Sequence, residues 1–216
     1  MSASFDLSNL DKKILSNNKA TYPKLAKLAL TRLKELGIPN KKHEHWRYTD
    51  ISEPIQLLER LLNNNDQPRS SKEKKKDNSP ANIDAHWLNL DDIDFNENRS
   101  SQIENYSIRV SCLNEEEAIN ESKVNDPLGC LNALLTEKII KITISEDTFI
   151  EKPIGILWSG LPCHKKYCSN LRIIIDIKKD SKVSFINLYE SNSDESHFSN
   201  IVTQINLGEN TNIEYL

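Results

Sequence analysis

Ile144-Ser145-Glu146-Asp147-Thr148-Phe149-Ile150-Glu151, Ile177-Lys178-Lys179-Asp180-Ser181-Lys182-Val183-Ser184 and Leu207-Gly208-Glu209-Asn210-Thr211-Asn212-Ile213-Glu214 write one pattern three times. In each, an aliphatic residue closes a strand, a charged residue precedes Asp or Asn, a hydroxyl residue follows, and a branched aliphatic opens the next strand two positions later. The Asp/Asn positions lie 33 and 30 residues apart. A period in that range is the mark of a repeat whose units cannot bury an apolar face alone and must stack on their neighbours.

Outward from these corners the residues alternate with period two: Ile140, Ile142, Ile144; Leu171, Ile173, Ile175, Ile177; Val183, Phe185; Ile201, Thr203, Ile205, Leu207. That is the strand period in residues suited to a pleated surface. The other face carries Lys141, Thr143, Arg172, Asp176, Gln204 and Asn206. Asp and Asn suit tight corners, since they tolerate left-handed backbone and bond to nearby amides; they take the role that five glycines cannot fill. The fold expected is mainly β: a right-handed parallel β-helix (solenoid) preceded by a small α-helical N-terminal domain, with a two-sheet sandwich as the fallback. The chain stops on Tyr215-Leu216 with a strand just begun. The expectation is therefore the front part of a longer protein, or a partner over that end.

The organisation expected is a helical domain over 1–62, a disordered linker or insertion over 63–80, a mixed α/β segment over 81–138 leading to a capping helix, and apparently truncated β-helix repeats over 139–216. Tyr22, Leu25, Ala26, Ala29, Leu33 and Leu36 make a helical stripe within about 12–36, with Pro23 at its start and Gly37 at its end. Ser52 and Pro54 open a second helix carrying Ile55, Leu58 and Leu62. The polar run 63–80 has no apolar periodicity to offset its ordering entropy. Short strands are expected at 85–88 and 106–110, and a polar helix at 115–121. Asn125-Asp126-Pro127 caps a helix with Leu128, Leu131 and Leu135 on one face, placed to cover the first coil.

Composition bounds the function. The chain has 216 residues, 37% hydrophobic and 28% charged, with a net charge of −4, which is ordinary for a folded protein and gives no reason to expect nucleic acid. The basic run at Lys72–Lys76 reads as a solvated loop. No basic-then-apolar leader and no run of about 18 apolar residues occurs, so no membrane span is expected and the cytoplasm is the default. Cys112, Cys130, Cys163 and Cys168 have irregular spacing and suggest no disulfide framework.

Candidate ligands are sparse. His43 and His45 lack a third ligand nearby, and Trp46 and Tyr48 read as anchors fixing their loop on the domain. Asp92 to Asn98 begins like a calcium loop, but Glu97 replaces the turn glycine and Ile103 the bidentate glutamate. Cys163-His164-Lys165-Lys166-Tyr167-Cys168 could hold a metal or a low-pKa thiol, which leaves a small metal or redox protein as one alternative. A β-helix carbohydrate-active enzyme is another, although Thr143, Asp176, Gln204 and Asn206 form no ladder of carboxylates. No catalytic, cofactor-binding or metal residue is assigned, and the chain is read as non-enzymatic.

Three pieces together resemble the SufD family of iron–sulfur cluster assembly proteins (SufB/SufD family), amino-terminal half. They are Leu36-Gly37-Ile38-Pro39 followed by Lys42-His43-Glu44-His45-Trp46-Arg47-Tyr48-Thr49-Asp50; the run from Asp126 to Ile154; and the repeat from Asn200 to Tyr215. The resemblance implies a helical head, a parallel β-helix and a scaffold subunit of a SufBCD-type complex, with a SufB-like paralogue and a SufC-like ABC-type ATPase as partners. It implies an iron–sulfur cluster handled transiently by the complex and ATP bound on the partner. The family's cluster-assembly cysteine and histidine lie in a later part with no counterpart here, so no ligand is carried over to Cys163, His164 or Cys168.

Overall fold

The computed structural model describes residues 20–41, 44–63, 82–90, 93, 102–103, 106–158, 168–189 and 198–216. The helices are α1 (Pro23–Leu36), α2 (Ser52–Asn63), α3 (Glu115–Glu121) and α4 (Pro127–Leu135). The strands are β1 (His86–Asn89), β2 (Gln102–Ile103), β3 (Tyr106–Cys112), β4 (Lys138–Ile144), β5 (Ile154–Trp158), β6 (Cys168–Ile177), β7 (Lys182–Tyr189), β8 (Phe198–Leu207) and β9 (Asn212–Tyr215).

These strands make two sheets, β1-β5-β7-β9 and β2-β3-β4-β6-β8. The first is parallel throughout. In the second, β2/β3 and β3/β4 are antiparallel, and β4/β6 and β6/β8 are parallel. The repeats stack in register: Ile144 lies beside Ile177 and Ile177 beside Leu207, while Lys182 lies beside Asn212. At the corners Asp147, Asp180 and Asn210 take φ of 54°, 55° and 56°, the left-handed conformation that short amide and carboxylate side chains tolerate best after glycine. Asn210 Nδ2 donates to Asp180 Oδ1 at 2.8 Å, tying two corners together.

The chain does not form the expected right-handed parallel β-helix. The repeat is real, but neither sheet closes, the second is mixed, and the described residues hold four α-helices in a layer of their own. The architecture is a mixed α/β stack of two open sheets with helices on one outer face, nearer the two-sheet fallback than a mainly β solenoid. The reason lies in the strand faces. Ile140, Ile142, Ile144, Leu171, Ile173, Ile175 and Ile177 meet Ile154, Ile156, Val183 and Phe185 between the sheets. The opposite face of the second sheet, which was expected to be polar, supplies Ile139 and Ile174 to another core shared with Leu25, Leu30, Leu33, Leu58, Leu131 and Leu134 of the helices. Two cores fix three layers.

The helices follow their end signals. Pro23 stands in the first turn of α1, and Gly37 (φ 74°) ends it with its amide donating to Leu33 O at 2.8 Å. Ser52 does not cap α2. Asp50 does that work from two residues upstream, its Oδ1 accepting from Ser52 N at 3.0 Å. Lys41 reaches the other Asp50 oxygen at 2.8 Å and, with the Ser52 bonds, holds that carboxyl below the usual range. Asn114 and Glu117 form a reciprocal capping box on α3, and Asp126 Oδ1 accepts from Gly129 N at 2.8 Å on α4. α4 lies on the outer face of β6 and β8, not over the end of a coil.

Candidate functional site

Helix α1 and the connection from α3 to α4 enclose an open groove of about 750 Å³. Its apolar surface comes from Leu28 and Val124 with the Thr31 side chain between helix turns, and its rim from Lys24, Lys27 and Lys123. Leu28 is 51% exposed although its neighbours Ala26, Ala29 and Leu30 are buried. The stripe that packs α1 down is thus full, and Leu28 stands beyond it. Arg32 and Glu35 also border the groove and neutralise each other at 2.7 Å. Glu115, on α3, is bound to the Lys24 amide at 2.5 Å.

The far wall, residues 122–125, is not a slack loop. Ser122 N donates to Ala118 O at 3.0 Å, closing α3. Lys123 N donates to Gln204 Oε1 at 3.0 Å, and Gln204 Nε2 to Glu121 O at 3.0 Å. Lys123 O accepts from Arg172 Nη1 at 3.0 Å, while the Cys130 thiol approaches Val124 O at 3.7 Å. Four bonds from four elements, α3, α4, β6 and β8, hold residues 122–124.

Arg172 is the centre of this arrangement. It is fully buried, and besides Lys123 O its Nε donates to Asn132 Oδ1 at 3.1 Å and its Nη2 to Gly129 O at 2.8 Å. All three acceptors are uncharged. Burial pushes the guanidinium down to about 10, with the Asp126 carboxylate pulling the other way. Asn132, also fully buried, donates from Nδ2 to Leu171 O at 2.9 Å and Asn200 O at 2.8 Å. Thr136 Oγ1 contacts Asn170 O at 3.1 Å and Lys138 O at 3.0 Å. These side chains join α4 to strand carbonyls at the start of β6 and β8. Tyr22 makes an equivalent joint beside it, since Ile139 pairs with Arg172: its hydroxyl donates to Leu113 O at 3.0 Å and accepts from Ile139 N at 3.2 Å. Burial pushes that phenol up to about 12.

The residues singled out from sequence are scattered relative to this site. His43, Cys163, His164, Asp92 and Lys72–Lys76 lie outside the described residues, as does the linker from 64 to 80. His45 belongs to a short turn, 44–46, and Cys168 opens β6. Tyr48 is 93% exposed and anchors nothing, while Trp46 beside it is half-buried. Asp176 is engaged by Lys178 at 2.8 Å and lies 3.8 Å from Lys141, which also holds Glu121 at 2.5 Å. Among the described residues, no group of three or more His, Cys, Asp or Glu side chains is placed to hold a metal ion, and no helix is long and apolar enough to cross a membrane. Sequence reasoning missed Arg172, Asn132 and the groove. Arg172 sat on the supposedly solvated face; its one sequence signal was an arginine flanked by Leu171 and Ile173 in an otherwise aliphatic run.

No family model and no curated protein matches the chain.

Proposed function

We propose that this chain works by holding other proteins: a non-catalytic scaffold subunit, or the amino-terminal portion of one, in a SufBCD-type iron–sulfur cluster assembly complex in the cytoplasm. Its partners would be a SufB-like paralogue and a SufC-like ABC-type ATPase. ATP would be bound and hydrolysed by the ATPase, and the cluster would be the cargo of the whole complex.

The observation that carries the reading is the groove between α1 and residues 122–125, a preformed concave surface with an apolar floor whose wall the buried Arg172 fastens to β6 and α4. A wall already held by hydrogen bonds loses little further freedom when a partner docks, which favours binding. The motif Leu36-Gly37-Ile38-Pro39 through Asp50 supports the family assignment. Its Gly37 takes the left-handed turn that ends α1, and its Asp50 opens α2.

The test is affinity purification of the tagged full reading frame from its own cells, without crosslinker, followed by mass spectrometry. The expected result is co-purification of a paralogous subunit and an ABC-type ATPase in fixed proportion. Recovery of neither, from cells that express both, would refute the assignment.

A further inference from the structure

We propose that the groove between α1 and residues 122–125 is a docking site for an acidic amphipathic helical segment of a partner protein. The inference rests on the reading that the chain acts through protein contacts, but not on which assembly it joins.

Charge selects the partner. The chain as a whole carries −4, yet the groove is bordered by Lys24, Lys27 and Lys123, with no ion pair to a described carboxylate on any of them, while Arg32 and Glu35 cancel. Glu115 at the Lys24 amide offsets part of this charge, and the remaining surplus of cations around one opening on a net-acidic protein favours an anionic ligand and penalises a cationic one. Apolar character then excludes a purely ionic ligand. Leu28 stands 51% exposed at the mouth and Val124 lies behind it. A partner that satisfies both must present apolar and acidic residues on adjacent faces, which is the pattern of an amphipathic helix laid in a groove.

Shape agrees. α1 has 14 residues, so its axis runs about 21 Å at 1.5 Å per residue. A partner helix of roughly three turns would match that length. Leu28 lies one turn from Lys24, so an apolar anchor on the partner would meet it with an acidic residue one turn away on the Lys24 side.

The probe is a fluorescein-labelled peptide of about three helical turns, with leucines at helical spacing and glutamates elsewhere. Its controls are the same peptide with lysine for each glutamate, and a scrambled peptide of the same composition. Anisotropy with the full chain is expected to show saturable binding of the glutamate peptide alone, weakened about tenfold or more by K24E/K27E and by Leu28→Asp. K24R/K27R should bind as the wild type does, and K179E/K182E, the same charge change on the first sheet and its corner, should leave affinity within about twofold. Circular dichroism of each variant separates lost binding from lost folding. Equal binding of the lysine or scrambled peptide, or equal loss in K179E/K182E, would overturn the proposal. Full displacement by inorganic phosphate at near-physiological ionic strength would do the same, because it would mark a simple anion site.

A photo-crosslinking residue at position 28 in cells supplies the second arm. Crosslinks to an acidic helical segment of a co-purified subunit support the proposal; crosslinks only to residues 1–19 of the same chain, or to a second copy, overturn it. If partners co-purify undiminished with K24E/K27E, the groove inference fails and the scaffold reading stands. If nothing co-purifies but the glutamate peptide binds as described, the scaffold assignment fails and the groove site stands.

Discussion

Replacing Arg172 with methionine tests the central joint of the structure, because opposing effects of similar size must be weighed. Depression of the guanidinium from its ordinary value to about 10 corresponds, at 1.36 kcal/mol per pKa unit, to roughly 3 kcal/mol by which burial disfavours the charged form. Methionine removes that cost and fills most of the volume. Against it stand three hydrogen bonds from a cation, to Asn132 Oδ1, Lys123 O and Gly129 O, worth about 1.5–3 kcal/mol each, with Asn132 and Gly129 buried and left without that donor. The balance is a net loss of about 2–6 kcal/mol, a large share of the 5–15 kcal/mol typical of a domain. Urea unfolding followed by tryptophan fluorescence and circular dichroism measures it. Hydrogen exchange should quicken first at residues 122–125, whose carbonyl anchor is gone. A double-mutant cycle with Asn132→Ala should show a coupling of at least about 1 kcal/mol. A variant as stable as the wild type or more so, as happens when some buried charges are replaced by well-packed apolar residues, would refute the reasoning and make the three bonds incidental.

Tyr22→Phe should cost about 1–3 kcal/mol in chemical denaturation, because Leu113 O and Ile139 N both lose the hydroxyl. It also carries a pH signature. The folded phenol is raised to about 12 from 10, so its contribution is full below pH 10 and is lost between about 10 and 12. The wild type should then lose stability over that window more steeply than the variant, and parallel curves would contradict the assignment. Asp147→Gly should stabilise by up to about 1 kcal/mol, since glycine accepts φ of 54° without strain, whereas Asp147→Val should destabilise by about 1–2 kcal/mol; equal melting temperatures for the two would refute the corner geometry. Gly155→Ala should destabilise by about 1–3 kcal/mol, because a Cβ there would stand 2.6 Å from Cδ2 of the Trp87 ring on the adjacent strand, and a shift in Trp87 fluorescence should accompany it.

The corners were legible because their chemistry is local. A left-handed residue between two alternating strands leaves Asp or Asn followed by Ser or Thr, and Ser181 Oγ then donates to Ser145 O at 2.8 Å, one repeat back. The ends of α1 and α4 were legible for the same reason, through Pro23, Gly37 and Asp126. What joins distant segments was not. Two open sheets and a closed coil require the same alternation along each strand, so periodicity could not separate them. Whether the outer face of β6 meets water or a helix is decided by α4, on which α1 packs. Arg172 therefore read as solvated, although Asn132, 40 residues earlier, helps to bury it. Tyr48 failed in the opposite sense: an aromatic near a tryptophan suggested an anchor, and two residues past the 44–46 turn it stands in solvent.

The same joint explains why the groove has a definite shape. Lys123 is gripped through its carbonyl by Arg172 of β6 and through its amide by Gln204 of β8, and those two strands pair over ten successive residues from Cys168/Phe198 to Ile177/Leu207. The wall facing α1 is therefore built on the most extensive ladder in the described structure, although it has no regular secondary structure itself. Loops assembled only from their own residues sample many conformations, and a ligand must order them at a cost of about 1–2 kcal/mol per residue. Here that ordering is done by the sheet before any partner arrives, so substitutions at Arg172 or Gln204, which touch no docked segment, should weaken docking by loosening the wall. Loss of affinity in Gln204→Ala with Lys24, Lys27 and Lys123 intact would separate a preorganised wall from attraction by charge alone. Unchanged affinity would mean that the cations suffice and the wall's anchoring is irrelevant to binding.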